Sequence, residues 1–93
     1  MVVGLAVWEL HLYGCGSLKE KRSVLKSIKD RMHNQFLVSV AETAHQDAHQ
    51  RAELAACVVS GSRSHAASVL SSLDRFMEGE ARVRIVDSYT TYY

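Results

Sequence analysis

His45 and His49 stand four residues apart, the spacing at which a helix turns two imidazoles toward one divalent metal. A zinc protease of that pattern needs a glutamate directly after the first histidine and a helix beneath both. Here Gln46 follows, inside a polar stretch over residues 43–50 that reads as a loop, so no metal is expected. Serine, histidine and aspartate are plentiful, yet nothing resembles a nucleophile elbow or a phosphate-binding glycine loop. A second group mixes both charges: Glu9, His11, Arg51 and Glu53, joined by Arg82 and Arg84. Lining a deep pocket, such a set can move protons; on an open sheet it forms cross-strand ion pairs.

The third group is electrostatic. Lys19, Lys21, Arg22, Lys26, Lys29 and Arg31 supply six of the eleven basic residues, against only Glu20 and Asp30 in the same stretch. At helical spacing Lys19, Arg22, Lys26, Lys29 and His33 share one stripe, a basic ridge that could track phosphates or remain a solvated face. The total charge of +1 hides this. Residues 19–31 carry a net +4, which leaves the rest of the chain at −3. A uniformly basic protein is excluded; a polarised one is not.

These groups must be placed by six elements. Residues 2–12 are rich in Val and Leu and end at Tyr13-Gly14-Cys15-Gly16, a strand followed by a turn. Ser17-Leu18-Lys19-Glu20 fits a capping box and opens a helix over 18–34, with Leu18, Leu25, Ile28 and Met32 on one face. A β-prone run at 36–41 and another at 52–59 flank the polar loop and make a hairpin. Gly61-Ser62 precedes a second helix with an apolar stripe of Ala66, Val69, Leu70, Leu73, Phe76 and Met77, stopped at Gly79. Val83, Ile85 and Tyr89 share even spacing in a last strand over 82–91.

The order β-α-β-β-α-β is the split arrangement of ferredoxin-like domains, an α+β sandwich in which two helices cover one face of a four-stranded antiparallel sheet. The first and third strands are its central neighbours. Their charge-bearing sides point away from the helices, which puts Glu9, His11, Arg51, Glu53, Arg82 and Arg84 at one end of the open face. Val3, Leu5, Val7, Ala55, Cys57 and Val59 gather at the other. An aliphatic patch without a helix to cover it marks an interface, and a two-fold homodimer is the expected occupant. The sheet lacks the stacking aromatics of RNA-recognition motifs, so any RNA contact falls to the helix, through Lys19, Lys21, Arg22, Lys26 and Lys29, with Arg51 as a neighbour at the shared end.

Length and composition fit this frame. Ninety-three residues, 47% of them hydrophobic, make a single domain over residues 1–93 that can bury a core without staples. Cys15 and Cys57 show no CxxC or metal-ligand spacing and read as free thiols of a reducing compartment. The opening apolar run contains Trp8, Glu9 and His11 and is too short to span a bilayer, so a cytoplasmic protein without a membrane contact is expected.

The segment Ser17-Leu18-Lys19-Glu20-Lys21-Arg22, together with Val38-Ser39-Val40-Ala41-Glu42, Gln46-Asp47 and Gln50-Arg51-Ala52-Glu53-Leu54, resembles the YlxP-like family of small bacterial proteins of unknown function. The resemblance extends to Val2-Val3-Gly4-Leu5 and Glu9-Leu10-His11-Leu12. It implies a ferredoxin-like fold in the bacterial cytosol, and, through genes often found beside translation and ribosome-maturation factors, a link to RNA or ribosomal particles. It implies no catalytic residue and no cofactor. The resulting expectation is a non-enzymatic accessory protein that contacts RNA or a ribosomal particle through the first helix. The alternative is a homodimeric interaction or ligand-sensing module acting through the open sheet face.

Overall fold

Ser17 starts the first helix: its Oγ accepts the Glu20 N–H at 3.1 Å, while Glu20 Oε2 accepts the Gly16 N–H at 3.1 Å. Two otherwise unpaired donors are thereby satisfied; the reciprocal bond of the expected capping box falls on Gly16, one residue before the cap, and not on the Ser17 N–H. The computed structural model describes residues 1–93. Its elements are β1 (Val2–Leu12), α1 (Leu18–Phe36), β2 (Ser39–Ala44), β3 (Arg51–Ser60), α2 (Arg63–Glu78) and β4 (Val83–Tyr92). The sheet is antiparallel throughout, in the order β2-β3-β1-β4. This is the ferredoxin-like topology expected from the element order. Neither helix is long and apolar enough to cross a membrane.

The largest departures from the expected boundaries fall at the junction of α1 with β2 and at the end of β2. Phe36 and Leu37 do not open the second strand but finish α1. Leu37 takes a left-handed φ of 56° and donates its N–H to the His33 carbonyl, closing the helix. Phe36 is kept helical by tertiary contact, its ring meeting Phe76 of α2 edge-on at 5.8 Å. That aromatic pair outweighs the local β preference of the Phe-Leu-Val run. β2 consequently begins at Ser39 and runs on to Ala44, past the expected end at 41.

Side chains alternate along β1 and β3 as the pattern predicts. Trp8, Leu10, Leu12, Leu54 and Ala56 are fully buried under the helices, against Leu25, Ile28 and Met32 of α1 and Leu70, Leu73 and Met77 of α2. Each large aliphatic or aromatic residue so placed contributes about 1.5–3 kcal/mol of transfer free energy. Trp8 adds a polar anchor, its Nε1–H donating to Asp74 Oδ1 of α2 at 2.9 Å. Gly4 lets α2 approach β1 closely: a Cβ there would lie 3.1 Å from Leu70 Cδ1 and 3.2 Å from Val58 Cγ1.

β4 departs from simple alternation. Leu10 pairs with Ile85, but Glu9 pairs with Asp87, so Val86 is an extra residue bulged from the ladder. Every side chain beyond it changes face. Tyr89, which even spacing grouped with Val83 and Ile85, therefore stands opposite Val7 on the face away from the helices and is 59% exposed.

Candidate functional site: the open sheet face and the basic helix

The register turns the open face into rows that run across the strands. Val59 pairs with Val3, and Val3 exchanges backbone hydrogen bonds with Tyr93. The next row is Ser39, Cys57, Leu5 and Thr91; the third is Ala41, Ala55, Val7 and Tyr89. All six aliphatic-patch residues named from the sequence (Val3, Leu5, Val7, Ala55, Cys57, Val59) lie in these three rows, none of which carries a charged side chain. Val59 is 65% exposed, whereas Val7, hemmed by Ala55 and Tyr89, is nearly buried.

The fourth row is acidic, with Glu53, Glu9 and Asp87 side by side on three strands; the fifth is basic, with Arg51, His11 and Arg84. Like charges directly opposite one another are unfavourable, and neighbours relieve them. Glu9 accepts from Arg51 Nη2 at 3.0 Å and lies 2.9 and 3.1 Å, through its two oxygens, from His45 Nε2. Glu53 accepts from Thr43 Oγ1 at 2.7 Å, and Asp87 accepts the Ser88 N–H at 2.9 Å. A shallow depression of about 270 Å³ runs between Val7, Glu9, Glu53, Asp87, Ser88 and Tyr89. It is open to solvent and does not enclose a substrate-sized ligand.

Arg82 is not part of this face. It precedes β4, and its guanidinium turns to the helical layer, where it donates to Glu80 and, at 3.2 Å, to Ser27 Oγ of α1. Glu80, almost buried, also accepts from Arg31 Nη2 at 2.7 Å. The Arg82 hydrogen bond, supported by Arg31 and opposed by burial, holds the Glu80 carboxyl down to about 2. Arg31 in turn lies over the Phe76 ring at 5.1 Å. The pair locks the turn before β4 onto α1.

Lys21 is likewise withdrawn from the basic ridge. Sequence spacing counted it among the phosphate contacts, but it is 1% exposed, with its chain among the core residues of α1. Its ammonium donates to the carbonyl oxygens of His45 (2.6 Å) and Ala48 (2.8 Å) and lies 2.8 Å from Glu42 Oε2. Glu42 Oε2 makes no aligned hydrogen bond, so that contact is one of charge. The hairpin loop and the start of α1 do share one end of the domain, and Lys21 joins them. His45 adopts φ 64°, a costly conformation for a side-chain-bearing residue, with its carbonyl held by the ammonium.

What remains of the ridge lies on the flank of α1 away from α2. Lys19 and Arg22 are exposed and Lys29 is half-buried, and none has a carboxylate partner. Lys26 pairs with Asp30 at 2.7 Å, a hydrogen bond that raises the lysine and lowers the aspartate from their ordinary values. His33 Nδ1 meets the Val38 carbonyl at 2.9 Å, at the entry to β2. Arg51 sits at the same end of the domain as the start of α1 but on the opposite face of the sheet, tied to Glu9.

A ferredoxin-like α+β domain with one sheet face uncovered is therefore the class of protein that fold and site define. The chain belongs to the family described as Protein of unknown function (DUF503), which it matches over residues 3–90. It is 41% identical over 86 residues to the uncharacterized protein YlxP of Bacillus subtilis (strain 168), an alignment covering 88% of this chain and 94% of that protein. The YlxP-like resemblance read from the sequence is thus correct, and the family carries no assigned activity. Among solved structures, an uncharacterized NIPSNAP domain protein from Burkholderia xenovorans superposes with a TM-score of 0.52 at 12% identity, covering 100% of this chain and 92% of that one. SnoaB, a cofactor-independent oxygenase from Streptomyces nogalater, does so with a TM-score of 0.50 at 10% identity, covering 99% and 90%. At such identities the likeness is one of fold.

Proposed function

We propose that this protein is a non-enzymatic accessory factor that contacts RNA, free or within a ribosomal particle, through the outer flank of α1. The observation that carries the reading is the state of the cations there. Lys19, Arg22 and Lys29 have no carboxylate partner, whereas Lys21, Lys26, Arg31, Arg51 and Arg82 are each engaged by one. Unpaired cations along one helix flank suit a phosphate backbone, because binding then releases counterions without first breaking ion pairs. The reading excludes Lys21 as a contact and keeps Arg51 off the same surface.

The test is affinity for ribosomal RNA and for ribosomal particles across a salt series. Replacing Lys19, Arg22 and Lys29 together by glutamate should weaken binding at low salt and flatten the salt slope by roughly 2, as for about three lost single-strand phosphate contacts. Capture from lysate should be lost on nuclease treatment. An unchanged slope in the triple variant, or nuclease-resistant capture, removes the reading and favours a protein-interaction module.

A further inference from the structure

The division of the open face into three uncharged rows, then an acidic row, then a basic row constrains what can cover it. We propose that the uncharged rows close against a second copy of this chain, about a two-fold axis that passes at the Leu5–Cys57 row and does not run along the strands. The proposal goes beyond the RNA reading and does not rest on it.

Face-to-face pairing of identical sheets places the two-fold axis in the plane between them. An axis along the strands returns every row to its own level. Glu53, Glu9 and Asp87 would then confront the same three carboxylates of the other copy, across sheets about 10 Å apart. An axis across the strands inverts the levels. Centred on the Leu5–Cys57 row, it sets the first row on the third and the second on itself, brings the acidic row over nothing but the exposed ends at Met1 and Gly61, and leaves the basic row overhanging in water. Prominent Val59 then meets small Ala55 of the other copy, Val3 meets Val7, and Tyr93 meets Tyr89. The face is complementary to itself in size as well as in charge, which is the requirement of an isologous interface.

Area sets the strength. Four strands at about 4.8 Å spacing and three rows about 6.6 Å apart give roughly 400 Å² of plane on each copy. Two such planes, with side-chain relief added, fall at the low end of specific interfaces. The dimer should therefore dissociate on dilution.

Sedimentation equilibrium over a wide concentration range, with the full chain, tests this. The wild-type mass should rise from that of one chain to that of two. Val59→Asp, at a position too exposed to endanger folding, should weaken association by roughly a hundred-fold, because it buries an unpaired carboxylate. Mild oxidation with copper–phenanthroline should join two chains through a Cys57–Cys57 disulfide and fail with Cys57→Ser; the other thiol, Cys15, is buried. Asp87→Asn should leave the affinity unchanged. A wild-type chain monomeric at every concentration, or a Val59→Asp variant that associates normally, overturns the interface. Tightening by about ten-fold or more in Asp87→Asn would place carboxylates face to face and overturn the axis.

Discussion

Lys21 Nζ lies 2.8 Å from Glu42 Oε2, joining the buried face of α1 to the helix side of β2. The same ammonium holds two carbonyls of the hairpin loop, so one cation fixes three segments. Lys21→Met keeps the apolar stem but leaves Glu42 charged and four-fifths buried, and loop carbonyls without a donor. A loss of about 3 kcal/mol in urea unfolding is expected, partly recovered when Glu42→Leu is added. The RNA salt slope should not change. A native unfolding midpoint in Lys21→Met would show that the cradle adds nothing to stability.

Glu80 gives the fold an acid limit. Its carboxyl is held at about 2, below the ordinary 4.5, by Arg82 and Arg31. A depressed carboxyl stabilises the folded state fully above its unfolded value, and that contribution fades as pH falls from about 4.5 toward 2. Full conversion of the shift would give about 3 kcal/mol; the half-exposed arginines screen it to roughly 2 kcal/mol. Urea unfolding at stepped pH should show the wild type losing about 2 kcal/mol more across the window than Glu80→Gln, which starts lower and keeps only the pH dependence of the other carboxylates. Parallel pH curves for the two proteins would remove the assignment.

Trp8 is the single tryptophan and is fully buried, with its indole N–H on Asp74. Its fluorescence should report global unfolding and little else. Asp74→Ala leaves the indole donor unpaired at the α2 boundary and should cost about 1–2 kcal/mol while red-shifting native emission as water enters. Trp8→Phe removes the donor together with part of the packing and should cost more than the aspartate variant. Equal stabilities for Asp74→Ala and wild type, by thermal melting followed by circular dichroism, would show the bond to be energetically idle.

Legibility in the sequence followed the range of the forces involved. The cap at Ser17, the apolar stripes of both helices and the alternation of β1 and β3 are local patterns, and they hold, with only the return bond of Glu20 shifted to Gly16. The central β1–β3 pairing placed the aliphatic patch and Glu9, His11, Arg51 and Glu53 correctly, because topology alone sets it. Three features depended on contacts between segments distant in sequence. Phe36 is helical because Phe76 is beside it, Lys21 is buried because loop carbonyls and Glu42 wait for it, and Arg82 turns inward to Glu80. Helical periodicity alone carried a hint for Lys21: it falls in phase with Leu25, Ile28 and Met32, on the buried side of α1.

The bulge at Val86 is the feature least visible in the sequence, and it decides which tyrosine reaches the open face. Leu10 pairs with Ile85 and Glu9 with Asp87, so removing Val86 joins two ladders already in register. Deleting it should preserve every pairing of β4, keep Tyr89 opposite Val7 and alter stability by no more than about 1 kcal/mol. Deleting Thr90 instead changes the face of every residue after it, which sends Tyr92 away from α2, where Arg63 lies over its ring at 4.3 Å, and brings Thr91 inward. That variant should lose at least about 1–2 kcal/mol through the lost cation–π contact and packing. The comparison is made by urea unfolding of the two deletion variants, with tyrosine accessibility to iodination as the structural readout. If deleting Val86 were the more damaging change, or buried Tyr89, the extra residue would be shaping the strand by bending it, and the register argument would fail.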